Sequence, residues 1–207
     1  MSDILLFVEG AFGHAVASAM AQRVPNLVTL PLTASRDELE TLVVGAQFVA
    51  VATWRPYEAA CQAVDAACHR HDRMWSRAVL ESTILVTGPL IGPTGPCYTC
   101  YRKRRASHSA TPERDRALDN LYATDAAVGV AGFLPSVATM ASASLLLDRK
   151  QSPGAAGRMR FHDLINCEVE ETRVVRIHGC ERCSGTSGPT TDRYVSRLVP
   201  AVKELLS

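Results

Sequence analysis

The chain has 207 residues, 22 Lys and Arg against 21 Asp and Glu, a net charge of +1, and 47% hydrophobic residues. The length suits one domain with a sizeable core, and the near-neutral charge argues against a dedicated nucleic-acid binder and against a disordered chain. Seven cysteines, an odd count, follow an N-terminus (Met1-Ser2-Asp3-Ile4) with no basic signal segment, which argues against a secreted disulfide scaffold and for a cytoplasmic protein.

The first half alternates strand and helix patterns. Ile4–Val8 is an apolar run of strand length, ended by Glu9-Gly10, and a helix pattern follows from about Gly13. Leu27–Leu30 reads as a second strand. Ser35 is placed to cap a short helix through Leu42, with Glu38 at the capping-box position. Phe48–Ala52 is a third buried strand. Tyr57, Ala60, Cys61, Val64, Ala67, Cys68 and His71 then recur at steps of three and four, the mark of an amphipathic helix. Val79-Leu80 and Thr83–Val86 suggest a further strand or a short hairpin. Apolar strands separated by helices predict an α/β fold, a mainly parallel sheet covered on both faces.

Three Gly-Pro pairs between Gly88 and Pro96 predict an ordered loop that delivers the chain to Cys97. Helical patterns cover about Pro112–Tyr122 and Asp125–Arg149, the second kinked or divided at Pro135. The 22 residues from Ala126 to Leu147 carry no charge and are long enough to span a bilayer, yet small residues dominate and Pro135 interrupts them. A buried helix is expected, with no membrane partner. Arg158–Ile165 and Glu168–Ile177 look like a C-terminal antiparallel pair. Residues 1–183 are expected to form the domain. Residues 184–207 would be a flexible linker, Ser184–Thr191, and an amphipathic helix with Val195, Leu198, Val199, Val202, Leu205 and Leu206 on one stripe.

Cys97-Tyr98-Thr99-Cys100 and Cys180-Glu181-Arg182-Cys183 are two C-x-x-C pairs. Two thiolates separated by two residues in a tight turn can share one metal ion, and two such knuckles complete a tetrahedral tetrathiolate. Four sulfur ligands leave no open position, so Zn2+ at Cys97, Cys100, Cys180 and Cys183 would be structural. A redox C-x-x-C opens a helix after a strand, whereas each pair here is read at a loop. Cys61 and Cys68 are read as core residues, Cys167 as part of a strand, and His178 as a spare ligand.

Val8-Glu9-Gly10-Ala11-Phe12-Gly13 follows the first strand, where a dinucleotide-type glycine loop would lie. Gly10 and Gly13 are the two remaining glycines of such a loop, a vestigial cofactor-binding turn. Glu9 adds a like charge beside any phosphate, and a tight turn kept for packing is the preferred reading. Arg102-Lys103-Arg104-Arg105 is read first as a solvated helix start or loop. A site for acidic peptide or partner carboxylates, and one for nucleic acid, remain the alternatives.

Taken together, the glycine turn, the helix bearing Ala66-Ala67-Cys68, the run Gly88–Pro93 into Gly95-Pro96-Cys97-Tyr98-Thr99-Cys100, and the late Cys180–Cys183 pair resemble one family. The chain looks like the ThiF-like, ubiquitin-activating-enzyme-like partner proteins of thiazole/oxazole-modified peptide biosynthesis, a class of bacteriocin and other ribosomal peptide natural-product pathways. The resemblance covers about residues 4–183. It implies a Rossmann-like adenylation-enzyme fold, the zinc tetrathiolate above, and a homodimer. It also implies a non-catalytic scaffold, part of an ATP-dependent complex, that partners a YcaO-type cyclodehydratase subunit and a precursor peptide during azoline formation. Members of the family carry an N-terminal leader-recognition element, and this chain is expected to lack one because it starts at the first strand. ATP is not expected as a cofactor. An active ATP-dependent adenylating enzyme and a regulatory zinc protein are the alternative functions.

Overall fold

The computed structural model of the chain describes residues 2–32, 36–125 and 127–184. The expected cap at Ser35, the linker beyond Ser184 and the C-terminal helix lie outside these residues. Elements run β1 (Ser2–Glu9), α1 (Gly10–Ala21), β2 (Leu27–Pro31), α2 (Arg36–Val44), β3 (Ala46–Thr53), α3 (Glu58–Arg70), β4 (Met74–Glu81) and β5 (Ile84–Thr87). They continue as α4 (Tyr98–Ser107), α5 (Pro112–Thr124), α6 (Pro135–Arg149), β6 (Arg158–Asp163), β7 (Glu168–Arg173) and the short α7 (Glu181–Ser184).

All seven strands form one sheet, in the order β2-β1-β3-β4-β5-β6-β7. The β2–β1, β1–β3 and β3–β4 pairings are parallel, and β4–β5, β5–β6 and β6–β7 are antiparallel. The sheet is therefore mixed rather than mainly parallel. The reason lies at β4–β5: Ser82 takes a left-handed backbone and turns the chain back, so the short hairpin, one of the two readings of residues 79–86, is the one formed, and the antiparallel half begins there rather than at the C-terminal pair.

Alternation along β1 sends Ile4, Leu6 and Val8 to one face and Leu5 and Phe7 to the other. The first set packs under α1 and α6, the second under α2, α3 and α4. Each such fully buried side chain contributes about 1.5–3 kcal/mol. The uncharged run around Pro135 is not one helix. Residues 127–134 are irregular, Pro135 opens α6, and Val137, Ala138, Ala141 and Leu145 pack against α1. Small side chains on α6 let the two helices approach closely. No described helix is long and apolar enough to cross a membrane.

Candidate metal centre

The Gly-Pro run is an ordered loop because both neighbouring strands hold it. Ile91 exchanges two backbone hydrogen bonds with Trp75 of β4 (2.8 and 2.9 Å), and Leu90 N–H donates to Arg158 O of β6 (2.8 Å). The loop ends at Cys97, the N-cap of α4. Both C-x-x-C pairs thus open helices, Cys97 before α4 and Cys180 before α7, unlike the loop positions read from sequence, but each follows a loop and not a strand. On the other side, Arg176 Nε donates to Gly95 O (2.8 Å) and Arg104 donates to Arg176 O (3.2 Å), which brings the segment after β7 back to α4. That return places Cys180 and Cys183 beside Cys97 and Cys100.

The four Sγ atoms are buried and lie within 4.8 Å of one another. Three separations are 3.8 Å (Cys97–Cys100), 3.7 Å (Cys97–Cys180) and 3.7 Å (Cys100–Cys183). Such distances are far too long for disulfides, and all seven cysteines are free. A regular tetrahedron with metal–sulfur bonds of about 2.3 Å has edges of about 3.8 Å. The donor set and its spacing fit a zinc-type tetrathiolate. Ile177 N–H also points at Cys100 Sγ (3.5 Å), a donor that would favour a thiolate there.

Thiol acidity is uneven across the cluster. Burial pushes the Cys97 and Cys183 thiols up. Burial also opposes ionisation of Cys180, but the Cys183 amide and the neighbouring thiols outweigh it and bring Cys180 down to about 7. One ligand is thus poised to ionise near neutral pH, while others give up protons when a metal arrives.

One buried carboxylate ties both knuckles to the core. Asp65 on α3 is 1% exposed; its Oδ1 accepts from Trp75 Nε1 (3.0 Å) and its Oδ2 from the Tyr98 N–H (3.1 Å), the first amide of α4. Arg182, between Cys180 and Cys183, donates to both Asp65 Oδ2 and Asp65 O. Cys97 supplies no side-chain cap to α4, so Asp65 caps the helix from outside. Burial pushes the Asp65 carboxyl above its ordinary range, with Arg182 as the main offset. Arg77 of β4, 1% exposed, sits beneath the same helix. Its guanidinium donates to Gly88 O (3.2 Å), Tyr98 Oη (3.2 Å) and Tyr101 Oη, and lies 4.6 Å from the Tyr101 ring centre. Sequence reasoning passed over both residues. The signal was a charge on an otherwise apolar stripe: Asp65 falls with Cys61, Val64 and Cys68 on α3, and Arg77 shares one face of β4 with Trp75 and Val79.

The glycine turn is filled from within the protein. Gly10 has φ +71°, and a Cβ there would lie 2.3 Å from Cγ of Trp54. A Cβ on Gly129 would meet Cδ2 of the same indole at 2.6 Å. Gly13 faces Ala52 O, which its Cβ would meet at 2.5 Å, so it serves close helix–strand packing. Trp54 follows β3 directly, at the carboxyl ends of β1 and β3, where ligands sit in doubly wound sheets. There Arg55, 5% exposed, donates to Asp125 O (2.6 Å) and Val128 O (2.9 Å) and lies 4.7 Å from the Tyr57 ring centre. Val130 N–H donates to Trp54 O (3.1 Å). The chain's own backbone therefore crosses this crevice.

Other residues singled out by sequence take plainer places. Cys61 and Cys68 are buried on α3, where burial pushes both thiols up and leaves them unreactive. Cys167 is exposed at the β6–β7 turn with φ +57°, not within a strand. His178 is exposed and outside the sulfur cluster. The basic run Arg102–Arg105 lies inside α4 and is divided by its neighbours: Arg102 pairs with Glu58, and Arg105 with Glu81.

No protein-family model matches the sequence, and no curated protein matches it. Solved structures do match the fold. The heterocyclase TruD superposes with a TM-score of 0.61 at 17% identity, over 88% of this chain and 27% of that one. A heterocyclase in complex with substrate and cofactor gives 0.60 at 13% identity, over 88% and 25%. Escherichia coli MccB gives 0.59 at 15% identity, over 88% and 65%, and a structure of this microcin C7 biosynthetic enzyme with N-formylated MccA gives 0.58 at 14%. The chain spans about a quarter of the heterocyclase chains. At these identities the likeness establishes a shared fold.

Proposed function

We propose that this protein is a ThiF-like, zinc-stabilised, non-catalytic partner subunit that supports a YcaO-type cyclodehydratase acting on a ribosomally made precursor peptide. The observation that carries this reading is the pairing of an intact tetrathiolate geometry with a glycine turn filled by Trp54, on a fold shared with the heterocyclase TruD and with MccB. Cys97, Cys100, Cys180 and Cys183 would hold the ion. Bound there, Zn2+ supplies structure alone, because four thiolates leave no position for substrate or water. Asp65 and Arg182 set the two knuckles at the right separation. Gly10 and Gly13 serve packing, and ATP does not bind. The subunit acts as a homodimer and brings the precursor peptide to the enzyme subunit.

Co-expression with a cyclodehydratase and its precursor peptide tests this directly. A stable complex that contains this chain, with no ATP–pyrophosphate exchange by the chain alone, is the expected result. Exchange activity from the isolated chain would replace this reading with that of an adenylating enzyme.

A further inference from the structure

Helix α5 stands outside the packing that holds the rest of the fold. It has 13 residues and buries none of them. Isolated helices shorter than about 12–15 residues are marginal in water, so tertiary cover normally supplies their stability. Asp115 and Tyr122, seven apart, are the two α5 residues that are partly buried, and they define the face turned to the body. The hold there is slight: Ser109 Oγ donates to Asp115 (2.6 Å), and the Tyr122 ring centre lies 5.4 Å from the Arg55 guanidinium. About 90° round the helix, Arg114, Leu118, Leu121 and Asp125 follow at steps of four, three and four, within about 60° of arc. Leu118 is 37% exposed and Leu121 43%, and the two charged residues are exposed as well. Asp125 still belongs to this stripe, because its N–H completes the helix by donating to Leu121 O (2.9 Å).

Two properties of the stripe together name its occupant. Its charges run against its own helix: a cation sits at the amino end and a carboxylate at the carboxyl end, the reverse of what the helix dipole favours. The stripe is also palindromic. Turned end over end, Arg114 falls opposite Asp125 and Leu118 opposite Leu121. We infer that α5 is the centre of a two-fold interface in which the α5 helices of two copies of this chain pair antiparallel. Symmetry makes each contact occur twice: Arg114 of each protomer meets Asp125 of the other, and Leu118 of each packs on Leu121 of the other. Competition within one chain is weak. Arg114 reaches the adjacent Asp115 (3.3 Å) in an ion pair open to solvent, and Asp125 Oδ1 accepts from the Ala127 N–H (2.8 Å). A second copy supplies the complement of this stripe by symmetry alone. The inference rests on the homodimer proposed above and adds the surface that forms it.

The test is sedimentation velocity of the full chain from about 1 to 200 µM, with melting temperature and metal content measured on every variant. Concentration-dependent dimerisation is expected. Leu121→Asp should weaken it by about 30-fold or more, because two carboxylates would enter the apolar centre. Arg114→Asp and Asp125→Arg should each weaken it by about tenfold, since each sets like charges together at both ends of the stripe. An equimolar mixture of those two variants, one carrying a fluorophore, should form mixed dimers within about threefold of the wild-type affinity, a gain that impaired folding cannot produce. Arg116→Asp, on the opposite flank of α5, leaves association unchanged. A dimer indifferent to Leu121→Asp, or a mixture no tighter than its components, overturns the inference and spares the homodimer. Dissociation of the dimer by a peptide of residues 192–206 assigns the stripe to that segment and likewise overturns the inference. A chain that stays monomeric throughout overturns both. Complex formation with the cyclodehydratase is read separately, so the remainder of the proposed function stands or falls on its own.

Discussion

Asp65→Asn changes one oxygen to an amide and leaves shape and volume nearly unaltered, so its effect reports charge and hydrogen bonding. The asparagine can still accept from either Trp75 Nε1 or the Tyr98 N–H, but its amide must then face a donor. Arg182 loses a charged partner while its side chain is only 22% exposed, and the carboxylate it loses is 1% exposed. Removing one member of a pair this buried costs about 3–5 kcal/mol, and the partial exposure of Arg182 places the expected loss near the lower end, about 3 kcal/mol. For a domain of this size that lowers the melting temperature by about 6–12 °C. Because the same carboxylate fixes both knuckles, metal retention against a chromogenic chelator should fall about 10- to 100-fold. Thermal melts by circular dichroism and chelator-driven release, each with Asp65→Asn, Arg182→Met and the double variant, measure both effects. The double variant should be little worse than Asp65→Asn alone. Additive losses, or an Asp65→Asn protein with unchanged melting and metal release, would falsify the coupling of the two knuckles through this residue.

Three further outcomes follow from the geometry. Gly10→Ala should destabilise the chain by about 2 kcal/mol or more in urea denaturation, since its Cβ would enter the Trp54 ring and its φ is +71°, while Gly132→Ala, with nothing within 4 Å, should change stability by no more than about 0.5 kcal/mol. Cys180→Ser should abolish tight metal retention by elemental analysis, whereas Cys61→Ser and Cys68→Ser should leave the metal in place, because α3 holds them outside the cluster. Metal affinity should fall as pH drops from about 8 to 6: burial keeps Cys97 and Cys183 protonated in the metal-free protein, so binding releases protons, and each proton released costs about tenfold in affinity per pH unit. An affinity that is flat over this range contradicts bound thiolates.

Much of this site is legible in the sequence, for local reasons. A C-x-x-C spacing carries its own geometry, so Cys97, Cys100, Cys180 and Cys183 can be paired across 79 intervening positions without knowing the fold. Strands β1 and β3 announce themselves as uninterrupted apolar runs, as buried parallel strands do. What escapes is non-local. Val79-Leu80 and Thr83–Val86 leave a further strand and a short hairpin both open, and only the pairing of β4 with β5 decides for the hairpin and sets the extent of the antiparallel half. Pro135 signals a break but not that residues 127–134 leave the helix to cross the sheet end, where Arg55 and Trp54 hold them. The basic run at Arg102–Arg105 reads as a patch in one dimension. On a helix its members point in different directions, and Glu58 and Glu81 neutralise two of them. Asp65 and Arg77 carry the clearest lesson, since a lone charge on an apolar stripe marks a buried partner whose identity only the tertiary structure supplies.

The central claim is that two distant knuckles converge on one closed metal site. Elemental analysis of protein purified under reducing conditions, combined with X-ray absorption at the zinc edge, tests it most directly. The account predicts about one zinc per chain in an all-sulfur, four-coordinate shell with bonds near about 2.3 Å. Protein that is folded and metal-free, or zinc bound with nitrogen or oxygen in its shell, contradicts it.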